Sequence, residues 1–193
     1  MTPGKKAPDF KLTDGNGKLH SLASFKSPQL VVYFYPKDDT PGCTIEAKEF
    51  SDFAAKLAKS GAQVVGISGG DDRSKAKFCT KHKITIPLLS DTDFSVAKAY
   101  GAYGDKVFMG RKFKGILRQT FILDAARKVV KRFDKVKPEG HAAEVLAALS
   151  GKAPAAAPKK SVATKKPAAP TKKEPTKKAP AKKTAAKKAK PAR

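Results

Sequence analysis

The sequence predicts an α/β domain, with a central mixed sheet covered by helices on both faces, followed by a tail that cannot pack. Three observations carry this reading. Leu30-Val-Val-Tyr-Phe-Tyr35 is an unbroken apolar run rich in β-branched and aromatic residues and reads as a central strand buried on both faces, and Gln63–Ser68 reads as a second buried strand. Cys43, Ala47, Phe50, Phe53, Ala54, Leu57 and Ala58 recur at three- and four-residue intervals, as do Ala142, Val145, Leu146 and Leu149, so each set lines one face of a helix. The composition then changes abruptly after Ser150: the last 43 residues hold 14 Lys, 13 Ala and 7 Pro, no aromatic residue and only Val162 as a large aliphatic. Nothing there offsets the entropy of ordering the chain, so residues 151–193 are expected to be disordered and residues 1–150 to form the domain.

In chain order, Phe10–Leu12 and Lys18–Leu22 flank Asp14-Gly15-Asn16-Gly17, a cluster tolerant of positive φ, which predicts a short hairpin. The first buried strand follows, then the long helix, stopped near Ser60-Gly61. After the second strand, Asp71 or Asp72 can cap a helix running to about Lys83, and Pro87-Leu-Leu leads into Ser90-Asp91. Phe94–Tyr100 is a short helix ended by Gly101. Gly115–Asp124 and Lys128–Asp134 read as two strands around a turn at Ala125–Arg127, and Pro138–Leu149 closes the domain as an amphipathic helix. Strands interleaved with helices in this order give the layered α/β architecture.

Composition narrows the function. The formal charge of +24 divides unequally, with +14 on residues 151–193 and +10 on residues 1–150. The apolar run at Leu30–Tyr35 is far short of the ~20 residues a membrane span needs, so no membrane role is expected. The opening Met-Thr-Pro-Gly-Lys-Lys-Ala-Pro has no apolar segment behind it to act as a secretory signal, which points to an intracellular protein. In a reducing compartment Cys43 and Cys79 are better candidates for reactive thiols than for a structural staple. Together with His20, His82 and His141 they show no metal-ligand spacing, and no Gly-rich phosphate loop occurs, so no cofactor is expected. His82 reads as an exposed helix residue.

The chemistry concentrates between the first strand and the long helix, in Pro36-Lys37-Asp38-Asp39-Thr40-Pro41-Gly42-Cys43. With Thr40 as N-cap, its hydroxyl can accept a backbone N–H, and Pro41 occupies the first helical position, where no N–H is missed. Cys43 then falls in the first turn, where the helix dipole and unpaired amides favour thiolate over thiol. The alternative is a buried cysteine that merely begins the apolar face of the helix. Neither argument says what the sulfur would attack.

Tyr33-Phe-Tyr-Pro-Lys-Asp-Asp-Thr-Pro-Gly-Cys-Thr-Ile-Glu-Ala47, framed by Ile86–Asp91, Val96–Gly101 and Gly115–Asp124, resembles the peroxiredoxin Q (bacterioferritin comigratory protein) family over roughly residues 5–149. The resemblance implies a thioredoxin-like fold and a thiol peroxidase reducing hydrogen peroxide and organic hydroperoxides. The family's Pro-x-x-x-Thr-x-x-Cys signature falls on Pro36, Thr40 and Cys43, making Cys43 the peroxidatic residue, and its active-site arginine falls on Arg118, in the strand Ile116–Leu123. Arg118 would stabilise the thiolate and donate to the peroxide, Thr40 would hydrogen-bond the same pair, and Pro36 would shield the sulfur. Gln119 stands where relatives more often carry a small hydroxyl residue.

Oxidised Cys43 has to be resolved by another thiol. Many relatives carry one five residues on, where this chain has Lys48. A subset of the family places it in the next helix, and Phe78-Cys79-Thr80-Lys81-His82 resembles that subset, implying a Cys43–Cys79 disulfide reopened by thioredoxin or a thioredoxin-like donor. The alternative is a one-cysteine enzyme resolved by an external thiol, with Cys79 packed inward beside Ala76. A thiol–disulfide oxidoreductase is disfavoured, because Glu46 stands where a Cys-x-x-Cys pair needs its second sulfur. The family leans towards a monomer.

The tail repeats Lys-Lys pairs, at Lys159 and Lys160, Lys165 and Lys166, Lys172 and Lys173, Lys177 and Lys178, Lys182 and Lys183, and Lys187 and Lys188. Its composition resembles linker-histone and bacterial histone-like tails, and predicts sequence-independent, salt-sensitive association with DNA, placing the protein in the cytoplasm near the nucleoid or, in a eukaryote, in the nucleus. A solubilising tail or an import signal is the plainer reading. A chromatin or nucleoid architectural protein using the folded domain as an anchor is the competing function.

Overall fold

A computed structural model describes residues 1–108 and 110–150. Residues 151–193, with the twelve paired lysines, lie outside the described residues. Two short strands, β1 (Lys11–Thr13) and β2 (Leu19–Ser21), pair antiparallel across the Asp14–Gly17 turn, where the Asp14 carboxylate accepts the Asn16 and Lys18 amides at 2.8 and 3.1 Å. The predicted hairpin is therefore present, its first strand shifted by one residue and its second trimmed by one at each end.

The main sheet holds β3 (Gln29–Phe34), β4 (Ala62–Ser68), β5 (Leu88–Ser90), β8 (Gln119–Leu123) and β9 (Val129–Phe133) in the order β5-β4-β3-β8-β9. β3 is central, parallel to β4 and antiparallel to β8. Its alternate residues feed two cores. Leu30, Val32 and Phe34 pack with Val65, Ile67, Phe121 and the helix α3 (Ser95–Tyr100) on one face. Val31, Tyr33 and Tyr35 pack on the other with α1 (Pro41–Lys59), α2 (Asp72–His82) and α4 (His141–Leu149). This is the predicted thioredoxin-like arrangement, and the apolar character of β3 after Gln29 follows from burial on both sides. Among the described residues no helix is long and apolar enough to cross a membrane.

One pair of strands is new. β6 (Tyr103–Phe108) and β7 (Arg111–Ile116) form an antiparallel hairpin outside the main sheet. The run Gly115–Asp124, read from sequence as one strand, is consequently two: Ile116 pairs with Tyr103, the Leu117 amide donates to the Ala102 carbonyl at 2.7 Å, and pairing with β3 begins only at Gln119. Leu117 and Arg118 are the crossing between sheets. Arg118 therefore stands between strands and not within one, as the sequence suggested, because a run of strand-forming residues does not by itself reveal a change of pairing partner.

Candidate active site

The loop from Pro36 to Thr40 leaves the end of β3 and turns into α1. Thr40 occupies the N-cap position with extended backbone (φ −98°, ψ 150°), Pro41 is the first helical residue, and Cys43 lies in the first turn. The hydroxyl of Thr40 does not cap the helix as expected. It donates instead to the Lys37 carbonyl at 3.2 Å, because the left-handed conformation at Asp39 (φ 55°) folds the loop back within its reach. Pro36 is half-buried at the start of the same loop.

Cys43 is only 1% exposed and belongs to the apolar cluster of α1, so the reading of a buried cysteine at the head of a helical stripe is correct as packing. The buried and reactive alternatives do not exclude each other. Nη2 of Arg118 stands 3.2 Å from Sγ of Cys43, joining a guanidinium to the one sulfur that faces the helix start. Nη1 of Arg118 bonds Oε2 of Glu46, one turn further along α1. Burial opposes the charge on Arg118, but Glu46 and Cys43 together more than offset it and hold the guanidinium above its ordinary value. Gly42 permits this approach: a Cβ there would lie 3.1 Å from Pro138 and 3.5 Å from Nη2 of Arg118.

Two contributors escaped the sequence reading. Glu46 is fully buried, its Oε1 makes no hydrogen bond, and burial pushes its carboxyl up to about 7 although Arg118 pulls the other way. Its signal was visible: positions 43, 46, 47 and 50 form one helical stripe, and an acid inside an apolar stripe demands a partner. Lys106, on the unread hairpin, donates to the Ile116 carbonyl at 2.9 Å and is pushed down by burial, with Arg118 adding to that shift. Gln119 is buried and donates to Asp134 at 3.1 Å.

Cys79 lies on α2, half-buried against the same apolar cluster that includes Cys43. Burial, then the charge of Asp38, pushes its thiol up, while Lys75 opposes. Both cysteines are free thiols. The fully buried residues of α2 are Lys75 and Phe78, with Cys79 packed partly against the cluster as the one-cysteine alternative has it; a salt-bridged lysine had no apolar signature to find. His82, read as exposed, is instead part-buried, edge-on to Phe78 and bonded to Asp39 at 2.6 Å.

A buried sulfur in the first turn of a helix, bonded by an arginine at the crossing into a thioredoxin-like sheet, is the arrangement of a thiol-dependent enzyme. Comparison with known proteins narrows the class. The AhpC/TSA family profile matches residues 3–132. Peroxiredoxin Bcp of Escherichia coli is 39% identical over 141 residues, 73% of this chain and 90% of the relative, and peroxiredoxin Bcp of Bacillus subtilis is 38% identical over 146 residues, 76% and 93% respectively. Peroxiredoxin Q of Xanthomonas campestris superposes with a TM-score of 0.69 at 38% identity, covering 74% of this chain and 90% of that one. A second Xanthomonas campestris structure, of the bacterioferritin comigratory protein and concerned with its alkyl peroxide reduction activity, gives 0.72 at 35% identity, covering 78% and 98%. The chain belongs to the AhpC/TSA family, in its peroxiredoxin Q/Bcp branch, and is a thiol peroxidase.

Proposed function

We propose that Cys43 is the peroxidatic residue and that Arg118, Thr40 and Pro36 serve it. The observation that carries this is the 3.2 Å contact from Nη2 of Arg118 to Sγ of Cys43. In the reaction, the Cys43 thiolate attacks the terminal oxygen of a hydroperoxide, the O–O bond breaks, and the departing alkoxide or hydroxide takes a proton from solvent, giving Cys43 sulfenic acid and an alcohol or water. Arg118 orients the peroxide and neutralises charge moving from sulfur to the leaving oxygen. Thr40 turns its hydroxyl from Lys37 towards the peroxide, and Pro36 keeps water off the sulfur. Hydrogen peroxide and organic hydroperoxides are the substrates, the latter in line with the alkyl peroxide reduction of the Xanthomonas relative.

The Cys79 thiol then attacks the sulfenic sulfur, expelling water and leaving a Cys43–Cys79 disulfide, which thioredoxin or a thioredoxin-like dithiol reduces by two exchanges. The two substituted cysteines in serine mutants of Xanthomonas campestris peroxiredoxin Q are spaced by 36 residues, the interval between Cys43 and Cys79, which supports this assignment. We assign the enzyme as an intracellular monomer whose lysine-rich tail associates with DNA without sequence preference. Treatment with one equivalent of peroxide tests the mechanism: mass spectrometry should find a Cys43–Cys79 linkage in the wild type and a sulfenic or sulfinic Cys43 in Cys79→Ser. An unmodified Cys43 in both proteins would remove it from the peroxidatic role.

A further inference from the structure

The loop that delivers Cys43 is fastened to the helix that carries Cys79, and by two consecutive carboxylates. Asp38 is buried and accepts four donors: Nζ of Lys75 at 3.0 Å, the hydroxyls of Ser74 and Tyr35 at 2.7 Å each, and that of Ser68 at 3.2 Å. Gly70 makes room for it, since a Cβ there would fall 2.0 Å from Oδ2 of Asp38. Asp39 is exposed and holds Nζ of Lys81 and Nε2 of His82, each at 2.6 Å. Successive side chains of an extended segment point to opposite sides. The left-handed conformation of Asp39 (φ 55°) breaks that alternation, so that both carboxylates address α2.

The two fastenings lie on either side of Cys79 and differ in strength. Lys75 is fully buried, and its pair is surrounded by satisfied hydroxyls; removing it from that setting is costly. Lys81 is 62% exposed and Asp39 45%, so their pair is screened and easily parted. Beyond Cys79 the helix is held by His82 edge-on to Phe78 and by buried Ile84, and its last turn ends on Lys83 in the left-handed conformation (φ 55°), with the Ile84 amide donating to the Cys79 carbonyl at 3.0 Å. On the other side of Cys79 a third contact adds to the anchor, because the β1–β2 turn presses on the backbone of α2, where a Cβ on Gly15 would come within 2.5 Å of the Ala76 amide nitrogen.

We propose that Asp38 and Asp39 clasp α2 unequally, Asp38 with Lys75 as a fixed pivot and Asp39 with Lys81 and His82 as a releasable catch. Opening the catch unwinds residues 79–84 and brings Cys79 to oxidised Cys43. This rests on the two-cysteine reading above. The closed catch retains α2 while Cys43 meets peroxide, and its release sets the rate of resolution. Asp39 and Lys81 are thus positioning residues for the second step and leave the first untouched.

The test uses Lys81→Ala and, separately, Asp39→Asn, which keeps a residue tolerant of the left-handed backbone. Rapid acid quench after peroxide addition, with mass spectrometry of the quenched thiols, separates sulfenic acid formation from disulfide formation and maps the wild-type linkage. The expected result is an unchanged first phase and a second phase faster by roughly two- to fivefold, the change in opening that loss of an exposed pair produces. Hydrogen exchange should quicken at the amides of residues 79–84 and stay constant at 72–76. A wild type that forms no Cys43–Cys79 linkage overturns the two-cysteine reading and the clasp with it. A linkage that forms at the same rate in all three proteins, or exchange that rises equally along α2, overturns the clasp alone.

Discussion

Nη1 of Arg118 pairs with Oε2 of Glu46, and the same guanidinium presents Nη2 to Sγ of Cys43. Glu46 and Cys43 are one turn apart on α1, so a planar fork spans both without bending. The carboxylate fixes the rotation of the guanidinium, and the helix fixes the carboxylate. The geometry at sulfur is therefore set before any peroxide arrives, which is the condition under which a donor contributes most to a reaction.

Replacing Arg118 by Met should lower the second-order rate of Cys43 oxidation by hydrogen peroxide by about 10²- to 10³-fold, the usual consequence of losing one preorganised donor. Arg118→Lys should recover little, because an ammonium cannot hold Glu46 and the sulfur with two nitrogens of one plane. Rapid-quench trapping of the Cys43 sulfenic acid at neutral pH measures both. A rate within threefold of wild type in Arg118→Met would leave the guanidinium without a catalytic part.

Glu46 makes stability depend on pH in an unusual sense. Burial raises its carboxyl from the ordinary 4.5 to about 7, so the folded protein binds this proton more tightly than the unfolded chain does. The resulting contribution is complete below pH 4.5 and is lost as pH rises through about 7, on the order of 3 kcal/mol in all. Urea unfolding at pH 5 and pH 8 should show wild type losing stability relative to Glu46→Gln over that interval. Parallel curves for the two proteins would refute the assignment.

His141 acts in the opposite direction. It is buried edge-on between the rings of Phe50 and Phe133 and shares a 2.8 Å hydrogen bond with Thr120. Burial pushes it down to about 4 from an ordinary 6.5, with Glu144 resisting. A neutral imidazole in the fold and a protonated one in the unfolded chain cost stability as pH falls from 6.5 through about 4; above 6.5 the contribution is complete. His141→Asn should therefore flatten the acid limb of the stability profile below pH 6, measured by the midpoint of thermal unfolding. An acid limb as steep as that of wild type would show that other groups cause it.

The sheet and its helices were legible because burial leaves a period: β3 reads as an uninterrupted apolar run, and α1 as a stripe at 43, 47, 50 and 57. The placement of Cys43 in the first turn of α1 followed from Pro41 and Thr40. What could not be read were relationships between distant segments. The β6–β7 hairpin carries Lys112 and Lys114 on exposed strand positions and so lacks an apolar face. Lys75 is buried only because Asp38, 37 positions earlier, meets it. The Thr40 hydroxyl turned away from its cap because of a left-handed backbone at Asp39, a residue type that permits this conformation without announcing it.

The lysine pairs after Ser150 place a net +14 on 43 residues, against +10 on the preceding 150. Each phosphate that a lysine neutralises releases condensed counterions, and the logarithm of affinity for duplex DNA should fall with the logarithm of salt by roughly 0.9 per phosphate contacted. With six or more contacts, binding weakens by about 10³-fold between 50 and 200 mM salt. No aromatic side chain is available in this segment to stack on bases, and Arg193 is its only arginine, so duplexes of unrelated sequence should bind alike. Truncation after Ser150 should abolish retention on immobilised duplex DNA at low salt and leave the rate of peroxide reduction unchanged. Retention of the truncated protein with the same salt slope would transfer the binding to the basic surface of residues 1–150 and leave the tail without that role.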